Sequence, residues 1–293
     1  MNIVITGSLG HIGKPLTEDL VQKGHSVTVI SSKPEKQKDI ETLGATSAIG
    51  SLEDVDFLTA TFAGADAVFL MVPPSFAEVD QVTYYRRLSN NYVQAISQTG
   101  VKRVVLLSSY GAHLHKDSGF ILGAHHAENI LNQLSNVAIT LLRAGYFYYN
   151  LFGFVDMIKG AGFMGANYGG DDHMALVSPL DIAVVAAEEL VKPIGQTIRY
   201  VASDEHTASE VAQILGAAIG KPDLQWLVLS SEQMKEGMEK RGLPPHVIAN
   251  FVELGASLHS GALLEDYEKY RPVLGNVKLE DFAKEFAATY QKE

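Results

Sequence analysis

The sequence predicts a doubly wound α/β fold, a parallel sheet with helices on both faces, and three observations carry that prediction. Short β-branched runs alternate with longer helical patterns over the first 143 residues. The chain enters a strand pattern at once, with Asn2-Ile3-Val4-Ile5. A glycine-rich loop then separates that strand from the first helix. In order, strands are expected at residues 2–6, 26–31, 46–49, 67–72, 103–108 and 138–143. The first helix, at about 12–23, places Ile12, Leu16, Leu20 and Val21 on one face and ends at Gly24, a left-handed cap. Further helices are expected near 55–62, 80–99 and 125–133.

After Arg143 the pattern changes to aromatic and glycine-rich loops, followed by a helix at 179–190, a strand at 197–201 and a helix at 208–219. Trp226 reads as a buried strand residue, and helices are expected from 231 to 291. This gives residues 1–150 as one domain and 151–293 as a smaller α/β region, partly interwoven with the first and forming the substrate side. No low-complexity linker, fixed-period repeat or charge block separates the two, so they are expected to pack tightly and share a cleft.

Composition removes several function classes. The 293 residues are 46% hydrophobic and 19% charged, enough for a sizeable core. With no cysteine, the chain has no disulfide, thiolate metal site, iron–sulfur cluster or cysteine nucleophile. A formal net charge of −11 opposes general attraction to nucleic acid phosphates, so no nucleic-acid partner is expected. The N-terminus lacks the basic segment and long apolar run of a secretion signal, and no stretch approaches the roughly 20 apolar residues of a membrane span. A cytoplasmic protein with no membrane span is the expectation, with a homo-oligomer left open. Asp171-Asp172-His173 lies in a glycine-rich loop without distant partner ligands, and no metal site is expected there.

The loop Gly7-Ser8-Leu9-Gly10-His11-Ile12-Gly13 carries the most chemistry. A strand that turns here directly into a helix brings backbone N–H groups against a pyrophosphate at the helix N-terminus. Gly7 permits the turn, Gly10 permits close approach of the phosphates, and Gly13 is expected to let the helix pack against the strand. The context predicts a Rossmann-type NAD(P) site. At the end of the second strand, an acidic residue would accept hydrogen bonds from the adenosine ribose and repel a 2′-phosphate. The chain instead reads Ser31-Ser32-Lys33-Pro34-Glu35-Lys36, which favours NADP(H), with NAD(H) as the alternative.

Several further segments occur in an order that resembles the NmrA-like family of atypical short-chain dehydrogenases/reductases. They are Gly50-Ser51-Leu52-Glu53-Asp54, Phe69-Leu70-Met71-Val72-Pro73-Pro74, Lys102-Arg103-Val104-Val105-Leu106-Leu107-Ser108-Ser109, Thr140-Leu141-Leu142-Arg143, Ser178-Pro179-Leu180-Asp181-Ile182-Ala183 and Leu279-Glu280-Asp281-Phe282. The chain looks most like the NAD(P)H:quinone oxidoreductase and azoreductase-like branch. The resemblance implies that Thr6, Gly7, Ser8, Leu9, Gly10, His11 and Ile12 cradle the pyrophosphate, and that Ser32 and Lys33 hold the 2′-phosphate. It places Ser51 and Leu52 beside the adenine, Ser51 standing where the family has aspartate. Val72, Pro73, Pro74, Ser108 and Ser109 would line the ribose and nicotinamide, and Tyr146 and Phe147 would close over the ring.

Ordinary short-chain dehydrogenases use a tyrosine and a lysine one helical turn apart, and this chain lacks the pair. Tyr110 is followed four residues later by Leu114, and the nearest substitute for the lysine is His125 as a ribose contact, the alternative being a surface pair with His126. No catalytic residue is therefore assigned. Carbonyl reduction needs a proton donor beside the hydride, whereas a quinone can take protons from solvent. The aromatic run Tyr146-Phe147-Tyr148-Tyr149 suits stacking on a flat acceptor, with part of it expected to be ordinary packing. The expected activity is NADPH-dependent reduction of a quinone or similar electrophile. The alternative is an NADP(H)-binding redox sensor with little turnover.

Overall fold

A computed structural model describes residues 1–194 and 197–292, and statements of absence below concern these residues. The chain runs through β1 (Asn2–Ile5), α1 (Gly13–Gln22), β2 (Ser26–Ser31), α2 (Gln37–Thr42), β3 (Thr46–Ile49), α3 (Val55–Phe62), β4 (Ala67–Leu70), α4 (Gln81–Thr99), β5 (Arg103–Ser109), α5 (Ile121–Leu131) and β6 (Ala138–Ala144). There follow β7 (Tyr146–Phe147), α6 (Val155–Ala161), β8 (Met164–Ala166), β9 (His173–Val177), α7 (Pro179–Val191), β10 (Ile198–Val201), β11 (Asp204–Thr207) and α8 (Ala208–Ala218). β12 (Trp226–Val228), α9 (Ser231–Lys240), α10 (Pro245–His259), α11 (Glu265–Lys269) and α12 (Leu279–Lys292) complete it. No single helix is long and apolar enough to cross a membrane among the described residues.

Seven strands form the main sheet in the order β10-β6-β5-β4-β1-β2-β3. Its β1–β2, β1–β4, β2–β3 and β4–β5 pairings are parallel. This is the predicted doubly wound Rossmann fold, with the strand expected at 197–201 joining as an edge beside β6. All four residues of β4 are buried, as the apolar run Ala67-Val68-Phe69-Leu70 requires of a strand covered on both faces. One core cluster gathers Val4, Phe62, Val68, Leu88, Tyr92 and Val104 from strands and from the helices packed on them. Helix ends follow their sequence signals. Asp54 and Asp80 accept the backbone N–H groups of Phe57 and Thr83, and Gly24 and Gly100 take left-handed backbone at C-terminal ends.

Between β1 and β4 the strand order reverses, so the loops that leave these two strands diverge and open a crevice at the carboxyl end of the sheet. β1 and β4 each stop short of the predicted limits, at Ile5 and Leu70 in place of Thr6 and Val72. Thr6 is the reason. Its hydroxyl donates to the Phe69 carbonyl at 3.2 Å and accepts the Met71 N–H at 2.9 Å, tying the two strand ends together as they turn away.

The chain divides into two compact units. The first comprises residues 1–109, 123–143 and 182–199, and the second 110–122, 144–181 and 200 onward. Within the second, β11, β9 and β7 form a three-stranded sheet and β12 pairs with β8. Strands of two to five residues carry too little alternation to stand out in sequence, and β7, β8, β9 and β11 were not anticipated.

The first unit holds a charge network that joins all three of its segments. Arg103 donates to the Glu189 carboxylate at 3.0 Å and to the Thr140 hydroxyl at 2.7 Å, and Glu189 also receives Lys192 at 2.9 Å and Arg199 at 2.7 Å. Burial opposes ionisation of Glu189, but the hydrogen bonds and charges of Lys192 and Arg199 outweigh it and hold the carboxyl below the ordinary glutamate value. A depressed folded value contributes stability that is present above the unfolded value of about 4.3 and is lost as pH falls through the folded one. In urea titrations, Glu189→Gln is therefore expected to be less stable than the wild type down to about pH 5. The gap should close on further acidification. A gap independent of pH would show that Glu189 does not act through its charge.

Candidate functional site

The glycine loop leaves β1 at the strand reversal. Gly7 has φ of +93°, and a Cβ there would lie 2.9 Å from the Met71 side chain, so both backbone conformation and space require glycine. Ser8 follows with φ of +56°. Its N–H donates to the Ile30 carbonyl at 3.0 Å and its hydroxyl to the Ser31 hydroxyl at 3.0 Å, which draws the loop over the end of β2. A Cβ on Gly10 would sit 3.3 Å from the Gly7 carbonyl, and Gly10 and His11 are exposed while Ile12 is buried. Gly13 differs from expectation. Its close neighbour is the Ser8 carbonyl within the loop, not the strand, so this glycine closes the loop on itself as α1 begins.

These residues fit a dinucleotide. α1 has no acidic residue in its first turn and no side chain capping its N-terminus, so its positive dipole end stands beside exposed loop backbone, while the Lys14 N–H is held by the Gly10 carbonyl and Pro15 has none. At the end of β2, Ser31 accepts the Lys33 N–H at 3.2 Å, and Ser32 and Lys33 are exposed. Lys36 pairs with Asp39 at 3.0 Å, whereas Lys33 makes no ion pair among the described residues, so the two cations are not equivalent. Ser51 is exposed and accepts the N–H of Glu53, and the Leu52 carbonyl accepts from Asn91 at 3.1 Å.

At the carboxyl ends of β4 and β5 the predicted residues separate by role. Val72 is buried, Pro73 presents its carbonyl to the Tyr84 hydroxyl at 3.0 Å, and Pro74 is exposed. Ser108 and Ser109 point to opposite faces, as adjacent strand residues must. The Ser108 hydroxyl donates to Glu128 at 2.5 Å, and Glu128 forms a two-point pair with Arg143 at 2.9 and 2.7 Å, all three residues being buried. Ser109 is half-buried and its hydroxyl has no partner among the described residues. His125, also half-buried, lies 2.9 Å from the Asn129 amide and edge-on to the His126 ring at 5.4 Å.

Within the second unit, Tyr146 and Phe147 form β7. The Tyr146 and Tyr168 hydroxyls are 3.3 Å apart, and burial pushes the Tyr146 phenol up to about 12, so it stays protonated at neutral pH. Phe147 stacks on Tyr149 at 5.1 Å. Tyr148 is packing: it is buried, stacks on Phe282 at 5.3 Å and donates to the Val277 carbonyl. Asp181, in the first turn of α7, accepts from the Ser203 hydroxyl at 2.6 Å and from the N–H groups of Asn276 and Val277 at 3.1 Å, pinning a distant loop. Asp172 pairs with His259 at 2.8 Å. Sequence reasoning missed the part of Met71, which walls the loop at Gly7 from within the Phe69–Pro74 segment, and it missed Arg87, which reaches Glu53 and Glu78 and belongs to no motif.

Comparison with known proteins matches residues 7–193 to a family described as NAD(P)H-binding. The chain belongs to this family. Its relatives accord with the resemblance of its motifs to the NmrA-like atypical short-chain dehydrogenases/reductases. It is 29% identical over 259 residues to the NAD(P)H azoreductase of Xenophilus azovorans, covering 87% of this chain and 86% of that protein. In fold it resembles the NADPH-dependent quinone oxidoreductase of Escherichia coli complexed with NADPH, with a TM-score of 0.82, 21% identity, and coverage of 97% of this chain and 99% of that one. The triphenylmethane reductase of Citrobacter sp. gives 0.80 at 20% identity, covering 98% and 100%. As a member of the NAD(P)H-binding family, the protein holds a nicotinamide dinucleotide.

Proposed function

We propose that this NAD(P)H-binding oxidoreductase prefers NADPH and reduces a quinone or similarly flat electrophile. The observation that carries the cofactor preference is the end of β2, where no carboxylate stands and Lys33 is exposed without an ion-pair partner. The bound dinucleotide supplies a hydride. The chain's part is to hold the phosphates on the glycine loop, to meet the 2′-phosphate with Ser32 and Lys33, and to seat the ribose and nicotinamide along Val72, Pro73, Pro74 and Ser109. Tyr146 and Phe147 are the aromatic pair offered to a flat acceptor, and the high value of the Tyr146 phenol makes it a hydrogen-bond donor and not a base. No tyrosine with a lysine one turn away stands ready to relay a proton, which supports an acceptor that takes its protons from water. The azoreductase and quinone oxidoreductase names of the relatives agree with this choice.

Lys33→Ala is expected to weaken NADPH about tenfold, the loss of one charge-assisted contact, and to leave NADH unchanged. Equal losses for both cofactors would remove Lys33 from the 2′-phosphate. For the reaction, NADPH oxidation is followed by the loss of reduced-nicotinamide absorbance against a panel of quinones and azo dyes. Turnover above background is the expected result. Tight NADPH binding with no oxidation of any acceptor would assign the protein as a sensor instead.

A further inference from the structure

One face of α4 is used to hold the loops that follow β3 and β4. Gln81 donates to the carbonyls of Ser75 and Glu78, both at 2.7 Å, the Tyr84 hydroxyl to that of Pro73, and the Tyr92 hydroxyl to that of Met71 at 2.7 Å. Asn91 donates to the Leu52 carbonyl from the same helix. Arg87, centred among them, reaches both loops at once. Its guanidinium forks onto the Glu53 carboxylate at 2.9 and 3.0 Å and donates to Glu78 at 2.8 Å, while its carbon centre lies 5.4 Å over the Tyr84 ring.

The arrangement is costly to explain as a device for global stability. The three charged side chains are 37% to 45% exposed, and ion pairs at that exposure add little to stability because water screens them. What the fork does change is the freedom of two loops. Glu53 adjoins Ser51 and Leu52, and Glu78 lies in the loop that begins at Val72, Pro73 and Pro74. A ligand that needs both loops in one arrangement binds more tightly when that arrangement is already set.

We propose that Arg87 is a positioning residue for the ADP-ribose part of the dinucleotide: by joining Glu53 to Glu78 it fixes, before the ligand arrives, the loop beside the adenine and the loop that begins at the ribose. This rests on the assignment of Ser51 and Leu52 to the adenine side. The test is direct binding of two ligands, NADPH and 2′-phospho-ADP-ribose, the second lacking only the nicotinamide. Arg87→Ala is expected to weaken both by the same factor, about tenfold, with the thermal midpoint within about 2 °C of the wild type. The double variant Glu53→Gln/Glu78→Gln keeps the cation and is expected to show a similar loss. Unchanged affinity in Arg87→Ala overturns the proposal. So does a larger loss for NADPH than for the fragment. An unchanged or tightened affinity in the double variant also overturns it, since that is the result of direct attraction between Arg87 and the anionic ligand. A wild-type protein that binds NADPH but not 2′-phospho-ADP-ribose would overturn the adenine assignment itself and is distinguishable from these outcomes.

Discussion

Gly13→Ala is expected to weaken NADPH binding by roughly a hundredfold or more, about 2.7 kcal/mol. Two effects oppose each other at this position. Alanine in place of a helical glycine gains about 1 kcal/mol of helix propensity. The added Cβ, however, would press on the Ser8 carbonyl, closer than real Cβ atoms approach backbone, and forced overpacking costs about 1–3 kcal/mol. Ser8 cannot yield cheaply, because its N–H is held by Ile30 and its hydroxyl by Ser31. The clash therefore wins, and it is relieved by moving the loop proposed to hold the phosphates. Cofactor titration checks this, with Gly10→Ala as the milder companion, since its Cβ would meet only the Gly7 carbonyl at 3.3 Å. Wild-type affinity in Gly13→Ala would show that the loop tolerates displacement and that its closure does not set binding.

Glu128→Ala is expected to have the largest effect on stability. Its carboxylate is buried with the Arg143 guanidinium, each side chain 6% exposed, and the pair is joined at two points. Removing one member leaves a buried cation without its counter-ion, which costs about 3–5 kcal/mol. For a chain of this size that corresponds to a fall in thermal midpoint of roughly 10 °C. The paired replacement Glu128→Leu/Arg143→Met removes both charges and is expected to recover most of the loss. Thermal unfolding of the two single variants and the double decides it. Additive losses in the double variant would mean that the two side chains act independently. Ser108 links this pair to the end of β5, so the single variant is also expected to lower NADPH affinity several-fold, as the hydroxyl loses the partner that fixes it.

Much of the fold was legible because its signals are local. The six strands read from β-branched runs are all present in the main sheet, and Asp80, Gly24 and Gly100 end helices where their chemistry allows. The glycine loop was legible for the same reason, since its turn, its spacing and the following helix lie within a dozen residues. What escaped depends on neighbours distant in sequence. Nothing in residues 108, 128 and 143 read separately says that Ser108 is committed to a buried pair while Ser109 beside it is not. Asp181 opens a helix that is visible in the sequence, whereas Asn276 and Val277, its partners, lie far along the chain. The side chains by which α4 holds the loops after β3 and β4 are likewise identified only by tertiary contacts.

The interleaving of the two units bears on how such a chain is inherited and engineered. The polypeptide passes from one unit to the other at five junctions, after residues 109, 122, 143, 181 and 199. A fragment cut at 150 would keep the glycine loop but lose residues 182–199, and with them Glu189, the counter-ion of the buried Arg103. A single genetic crossover cannot exchange the first unit whole without orphaning that charge, so variation in such a chain runs through point substitutions and loop-length changes within an undivided polypeptide.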